Sequence, residues 1–185
     1  MEPSAFLRIE DALRASFVRH ARETAVVDES GSLSYSDLEA RSEQVAHSLR
    51  VCGMQPNERV CLLAPKSAGS IAVVLGVLKA GGVYVPLDTT SPVARLANMI
   101  RTCEPCWLVA GPQQRDIASA CIDVEPQPRL RGLWELAEPF AFTPVPLTRP
   151  VEVFDQEGPV DLAYILFTSG STGDRKSTRL NSSHA

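Results

Sequence analysis

Thr168-Ser169-Gly170-Ser171-Thr172-Gly173 is a run of six residues that carry a hydroxyl or no side chain at all. Glycine lets a backbone come close to an anion, and successive N–H groups in a tight turn form an anion-binding nest. The Ser and Thr hydroxyls add donors for phosphate oxygens, so the chemistry suits a polyphosphate better than a neutral ligand. Composition alone favours a flexible Gly/Ser spacer. Placement reverses that, because the run follows directly on the apolar stretch Val160 to Thr168. Gly170, Gly173 and Lys176 lack the Gly-x-x-x-x-Gly-Lys-Ser/Thr spacing, which argues against a P-loop NTPase.

A second motif, Cys103-Glu104-Pro105-Cys106, is formally a CxxC that could be redox-active or half of a zinc site. No second CxxC completes a four-ligand set, and His20, His47 and His184 are scattered singly. An isolated CxxC is a weak signal. Ordinary thiols at a helix-to-strand junction are the better reading, and no metal ligand is assigned. The five cysteines are an odd number without a disulfide-scaffold pattern.

The elements that must position the loop alternate between helix and strand. Ile9, Leu13 and Phe17 recur at helical spacing, which predicts a helix over about 6–20. Thr24 to Asp28 reads as a strand, Glu29 to Ser32 as a turn, and Leu33 to Tyr35 as a strand pairing back. Ser36 and Glu39 fit a capping box for the next helix, with Leu38, Val45 and Leu49 inward and Gly53 as its left-handed end. Further strands are predicted at Arg59 to Ala64, Val83 to Val85 and Trp107 to Ala110. Between them lie an apolar helix over 67–80 and a helix opened by Ser91 as cap and Pro92 at its first position. From Gly111 to Glu157 prolines interrupt the signal, so a winding surface connection is expected rather than new core. The apolar run at 160–168 is then a strand delivering the loop. Repeated strand–helix–strand units imply an α/β fold with a mostly parallel sheet and packed helices.

Length and charge set outer bounds. A chain of 185 residues can bury roughly 70% of the surface its unfolded form exposes. A net charge of −4 argues against a nucleic-acid-binding or anionic-membrane surface. The most apolar stretch, Ile71 to Leu87, is broken by Lys79, Gly81, Gly82 and Pro86, short of the ~20 apolar residues of a membrane helix. Met1 to Ala5 carries acid rather than a basic leader, so a cytoplasmic location is expected.

Three blocks, in order, resemble the AMP-forming adenylating enzymes: nonribosomal peptide synthetase adenylation domains, acyl-CoA synthetases and luciferases. Leu33-Ser34-Tyr35-Ser36-Asp37-Leu38 is similar to the family's Leu-Thr-Tyr-x-Glu-Leu element. Leu78-Lys79-Ala80-Gly81-Gly82-Val83-Tyr84-Val85-Pro86-Leu87-Asp88, followed by Ser91-Pro92 and Arg95-Leu96, is similar to its Leu-Lys-Ala-Gly-x-Ala-Tyr-Val-Pro-Ile-Asp element. Leu162 to Gly173 resembles its phosphate-loop signature.

The resemblance implies an incomplete N-terminal part of the large domain of an AMP-dependent synthetase/ligase. It implies attack of a carboxylate on the α-phosphate of Mg²⁺-bound ATP, with release of pyrophosphate. The acyl group then passes to a thiol, on a phosphopantetheine carrier protein or on CoA. Thr168, Ser169, Gly170, Ser171, Thr172 and Gly173 would hold the β- and γ-phosphates, and no catalytic residue is assigned within this chain. The first two blocks read as structural: Tyr35, Asp37 and Leu38 at a strand–helix junction, Gly81 and Gly82 at a helix exit. Lys79 would face solvent or complement the helix dipole. The match around Leu78–Asp88 leans toward amino-acid activation. With Met1 as the start, a stand-alone carrier-protein ligase is expected.

After Gly173 the family continues with any residue and then Pro-Lys-Gly, whereas this chain has Asp174-Arg175-Lys176-Ser177. Asp174 to His184 (DRKSTRLNSSH) is similar to the translation of a common short-read sequencing adaptor, so Lys176 would match by accident. Residues 1–173 are therefore read as a partial AMP-dependent synthetase/ligase domain and 174–185 as non-native. On that reading the chain itself is inactive, and its shortened sheet exposes an edge prone to aggregation. An acyl-CoA synthetase, or a non-catalytic nucleotide-binding module ending at Ala185, is the alternative.

Overall fold

The computed structural model describes residues 9–124, 129–137, 141–146, 162–168 and 178–181. Helix α1 (Ile9–Arg19) leads into a hairpin of β1 (Thr24–Asp28) and β2 (Gly31–Ser34), turning more tightly than expected at Glu29 and Ser30. There follow α2 (Tyr35–Val51), β3 (Arg59–Leu63), α3 (Ala68–Lys79), β4 (Val83–Pro86), α4 (Val93–Cys103) and β5 (Trp107–Ala110). A 3-10 turn (Pro112–Gln114), α5 (Arg115–Val124), β6 (Gly132–Ala137), β7 (Ala141–Pro146), β8 (Leu162–Leu166) and β9 (Thr178–Asn181) complete the order.

One seven-stranded sheet runs β7-β6-β5-β3-β4-β8-β9. β6, β5, β3, β4 and β8 are parallel, and the antiparallel β7 and β9 close the two edges. Connections between parallel neighbours pass through helices. Accordingly α2 and α3 cover one face, over Val60, Leu62 and Val109, while α4 and α5 cover the other, over Cys61, Leu63, Val85 and Leu108. Phe17 of α1 packs against Leu38, Ala72 and Leu75 outside that first layer.

Local chemistry sets the helix ends. Two overlapping Ser-x-x-acid patterns, Ser34/Asp37 and Ser36/Glu39, compete for the start of α2, and the structure corrects the expected Ser36 cap to Ser34. Ser34 ends a strand, so it already has the extended backbone (φ −74, ψ 164) that an N-cap needs. Asp37 N–H donates to Ser34 Oγ (3.1 Å) and the Asp37 carboxylate accepts from Ser34 N–H (3.3 Å). Ser34→Ala should therefore cost about 1 kcal/mol in denaturant unfolding, with Ser36→Ala near neutral. The Ser34 hydroxyl, then its amide, hold the Asp37 carboxyl below the usual range. A carboxyl so depressed stabilises the fold above its unfolded value and loses that as pH falls through the folded one. The gap between Ser34→Ala and wild type should thus narrow in acid.

At the other end of α2, Gly53 (φ 82) takes the left-handed position, Gly53 N–H reaching Arg50 O (2.9 Å) and Met54 N–H reaching Leu49 O (3.0 Å). α4 also differs by one residue from expectation. Pro92 is its N-cap (φ −59, ψ 148) rather than its first helical residue, and no side chain caps it. Ser91 N–H instead donates to Asp88 O (3.0 Å).

Two larger expectations are overturned. Residues 112–146 are not surface winding throughout: α5, β6 and β7 build core, with Leu130, Leu133, Trp134, Leu136 and Phe142 buried. Pro144 and Pro146 are compatible with a strand because β7 is outermost, where a missing N–H breaks no inner ladder. For Lys79 only the solvent-facing reading fails: it sits in the last turn of α3, where it complements the helix dipole, with its side chain 10% exposed, 2.7 Å from Glu43 Oε1 and 5.1 Å over the Phe17 ring. Its aliphatic stem is buried against α1 while the ammonium keeps an anion and a ring face.

Although 174–185 read as foreign to the fold, Thr178–Asn181 forms β9 along the outer edge of β8. An open strand edge presents unpaired N–H and C=O groups to any extended segment within reach. β9 is thereby the outermost strand on that side of the sheet.

Candidate phosphate-binding site

The loop sequence leaves the carboxyl end of β8, as the apolar run at 160–168 predicts. Phe167 packs against the α4/α5-side core and Thr168 is exposed at the strand's exit. Ser169, Gly170, Ser171, Thr172 and Gly173 lie outside the described residues, as does Lys176. The backbone reaches them from one antiparallel strand, β8, and returns in the other, β9.

Sheet order brings a second chain segment to this end. β4 is the parallel neighbour of β8, with Tyr84 opposite Tyr164. Four residues beyond that pair stand Asp88 on one strand's exit and Thr168 on the other's. Asp88 builds a tight turn there: its Oδ1 accepts from Thr90 N–H (2.9 Å) and Thr90 Oγ1–H (2.8 Å). Those bonds, the amide's first, hold its carboxyl below the usual range. The Thr90 hydroxyl is engaged in the turn itself, and Ser91 N–H reaches Asp88 O (3.0 Å), so this part of the second family block is structural. Its glycines end α3: Gly81 (φ 83) N–H reaches Leu78 O and Gly82 N–H reaches Val77 O. Spacing in the sequence does not set the exits of β4 and β8 side by side; the pairing of those two strands does.

The carboxyl ends of parallel strands are where open α/β sheets bind ligands. Successive backbone N–H groups, with Ser and Thr hydroxyls beside them and no Cβ at the glycines, suit phosphate oxygens.

The other two sites weighed carry no such chemistry. Cys103 closes α4 and Cys106 precedes β5, so the CxxC spans a helix-to-strand junction, with both thiols buried. Burial pushes the Cys106 thiol well up, away from the thiolate that redox or metal chemistry uses. Among the described residues no group of three His, Cys, Asp or Glu could hold a metal ion. A cavity of about 410 Å³ lies between the β1–β2 hairpin, Arg41 and the start of α3. Its helix end is already served, since Ala68 N–H donates to Asp28 Oδ2 (2.7 Å). No helix among the described residues is long and apolar enough to cross a membrane.

Comparison with known proteins gives the family and the fold. A profile of AMP-binding enzymes matches residues 13–181. Cyclosporin synthetase simA from Tolypocladium inflatum is 35% identical over 95% of the chain, which covers 1% of that protein. L-proline--[L-prolyl-carrier protein] ligase from Pseudomonas fluorescens is 34% identical over 96% of the chain, which covers 35% of it. The crystal structure of ATP-bound MatB from Rhodopseudomonas palustris superposes with a TM-score of 0.73 at 28% identity, over 96% of this chain and 35% of that one. The anthranilate CoA ligase AuaEII, at 17% identity and a TM-score of 0.78, shares the fold. The chain thus spans about a third, or far less, of the proteins it matches. The profile match over nearly the whole length identifies it as a member of the AMP-binding enzyme family.

Proposed function

We propose that the complete protein activates a carboxylate, as an acyl-adenylate, for transfer to a thiol. The carboxylate oxygen attacks the α-phosphorus of ATP, the bond to the bridging oxygen breaks, and pyrophosphate leaves. The thiol sulfur then displaces AMP from the acyl carbon. Residues 1–173 supply the cradle for the leaving pyrophosphate: Thr168 to Gly173 hold the β- and γ-phosphates by N–H and hydroxyl donors. Fixed donors that meet developing charge without reorganising are what lowers such a barrier. Mg²⁺, when bound with the nucleotide, screens the phosphate charges.

The observation that carries this reading is the position of the loop sequence at the carboxyl end of β8 beside β4, within a family match. Amino-acid activation with a carrier-protein acceptor is favoured by the close fit of Leu78–Asp88 to the adenylation-domain pattern. An acyl-CoA synthetase is the runner-up. Residues 174–185 are not native on this reading, and the 185-residue chain does not turn over.

Sequencing genomic DNA past the Gly173 codon tests it. A frame that continues through Pro-Lys-Gly should encode a protein with carboxylate-dependent ATP–pyrophosphate exchange. In that protein Gly173→Val should lower exchange on the order of 100-fold. A genomic stop after Ala185, with ATP binding but no exchange, would instead make the chain a nucleotide-binding module. Exchange that survives Gly173→Val unchanged sinks the role given to the loop.

A further inference from the structure

We propose that the face of β4 and β8 on the α2/α3 side is a docking surface for the protein's own chain beyond residue 173. That continuation lays the apolar stripe of a helix over Tyr84, Pro86, Tyr164 and Leu166. The inference rests on the reading of residues 1–173 as part of a longer protein. On the α2/α3 side of the sheet Val60 and Leu62 of β3, Val109 of β5 and Trp134 of β6 are all buried. Further along the same side the cover thins.

Side chains alternate along a strand, so Tyr84 and Pro86 share one face of β4 while Val83 and Val85 share the other. The two valines are buried and Tyr84 and Pro86 are only half-buried. β8 repeats the pattern. Ile165 is buried on the α4/α5 side, whereas Tyr164 is half-buried and Leu166 is 41% exposed. Tyr84 stands opposite Tyr164 with the rings 5.5 Å apart, so the group is continuous across the two strands. A lone exposed apolar residue is ordinary, but a contiguous set marks a contact surface. Inner strands of a parallel sheet are covered by helices on both faces, and here α2 and α3 complete that cover only over β3, β5 and β6. None of the four side chains carries a charge, so an apolar stripe fits them and a polyanion does not. This chain spans about a third of the ligase and of the MatB structure it matches nearly end to end. Two-thirds of such a protein is therefore left to pack, and β8 is the strand from which it departs.

Thiol labelling tests this with Leu166→Cys and, away from the face, Val27→Cys on β1, where the native side chain is 75% exposed. Both changes keep a small apolar side chain at an exposed position, so both variants should fold. Each is made in the 185-residue chain and in the complete protein encoded by the genomic frame. Maleimide labelling at the new site is followed by peptide mass mapping, which separates it from the five native cysteines. In the 185-residue chain the two variants should label at similar rates. In the complete protein Leu166→Cys should label roughly 100-fold more slowly than in the short chain, because a docked helix must lift before the thiol reacts. Val27→Cys should change far less. Unchanged labelling of Leu166→Cys overturns the docking, and so does equal slowing of both variants. Protection of Leu166→Cys in the short chain that grows with its concentration gives the face to a second copy and overturns it as well. A genomic frame that stops after Ala185 overturns the longer-protein reading and the docking with it, an outcome distinct from the other three.

Discussion

Arg131→Met should destabilise the chain by roughly 3–5 kcal/mol, read by urea denaturation with Trp107 and Trp134 fluorescence as probes. The loss comes from what the arginine leaves behind. Glu58 is 7% exposed, at the amino end of β3. One of its oxygens accepts from Gln55 N–H (2.8 Å) and the other from Arg131 Nη2. Arg131 Nη1 donates in addition to Gly53 O (2.7 Å), the residue that ends α2. The guanidinium thus ties the α2–β3 connection to the start of β6. Without it a carboxylate stays buried with one partner gone. Replacing both residues, as Arg131→Met with Glu58→Gln, should recover more than half of the loss, because no unpaired charge remains. A double variant no better than the single one would show that packing by the arginine stem, not charge, carries the effect.

Trp134→Ala should cost a similar amount, roughly 3–5 kcal/mol, while Trp134→Phe costs far less. Trp134 is 2% exposed, stacked on Phe142 (4.3 Å, 8°) and edge-on to Trp107 (5.8 Å, 71°). Alanine removes the middle of that aromatic row and leaves a cavity under α3. Phenylalanine keeps the stack and also removes an indole N–H that is buried without a hydrogen-bond partner. Equilibrium unfolding of both variants, with near-ultraviolet dichroism for the row, distinguishes the outcomes. Equal losses from alanine and phenylalanine would mean that the indole itself, not ring stacking, is what the site needs.

That residue also marks where sequence reasoning ran out. Gly111 to Glu157 reads as connection because its prolines punctuate every short apolar run. The structure places two strands there, β6 buried and β7 outermost. Proline density cannot distinguish a loop from an edge strand, since both lack the need for an N–H. The misplaced cap has a comparable cause. Ser34/Asp37 and Ser36/Glu39 are equally good locally, and the end of β2 decided between them. Lys79 reads as a solvent-facing helix end until α1 folds over it and brings Phe17 to its ammonium.

Within single elements the sequence was enough. Apolar spacing gives α1, β1, β3, α3, β4, β5 and β8 within a few residues, because periodicity and caps are local physics. Family membership was equally legible, carried by three ordered blocks. The phosphate role of the hydroxyl and glycine run remains a proposal, since its residues from Ser169 to Gly173 lie outside the described structure. What tertiary structure alone decided is which segments share the site. The chain visits β5, β6 and β7 before it returns to lay β8 beside β4, so Asp88 and Thr168 are distant in sequence yet follow adjacent strands. The same pairing sets Tyr84 on Tyr164. Strand order follows from which helices cover which face, a balance of burial over the whole core, and no local pattern encodes it.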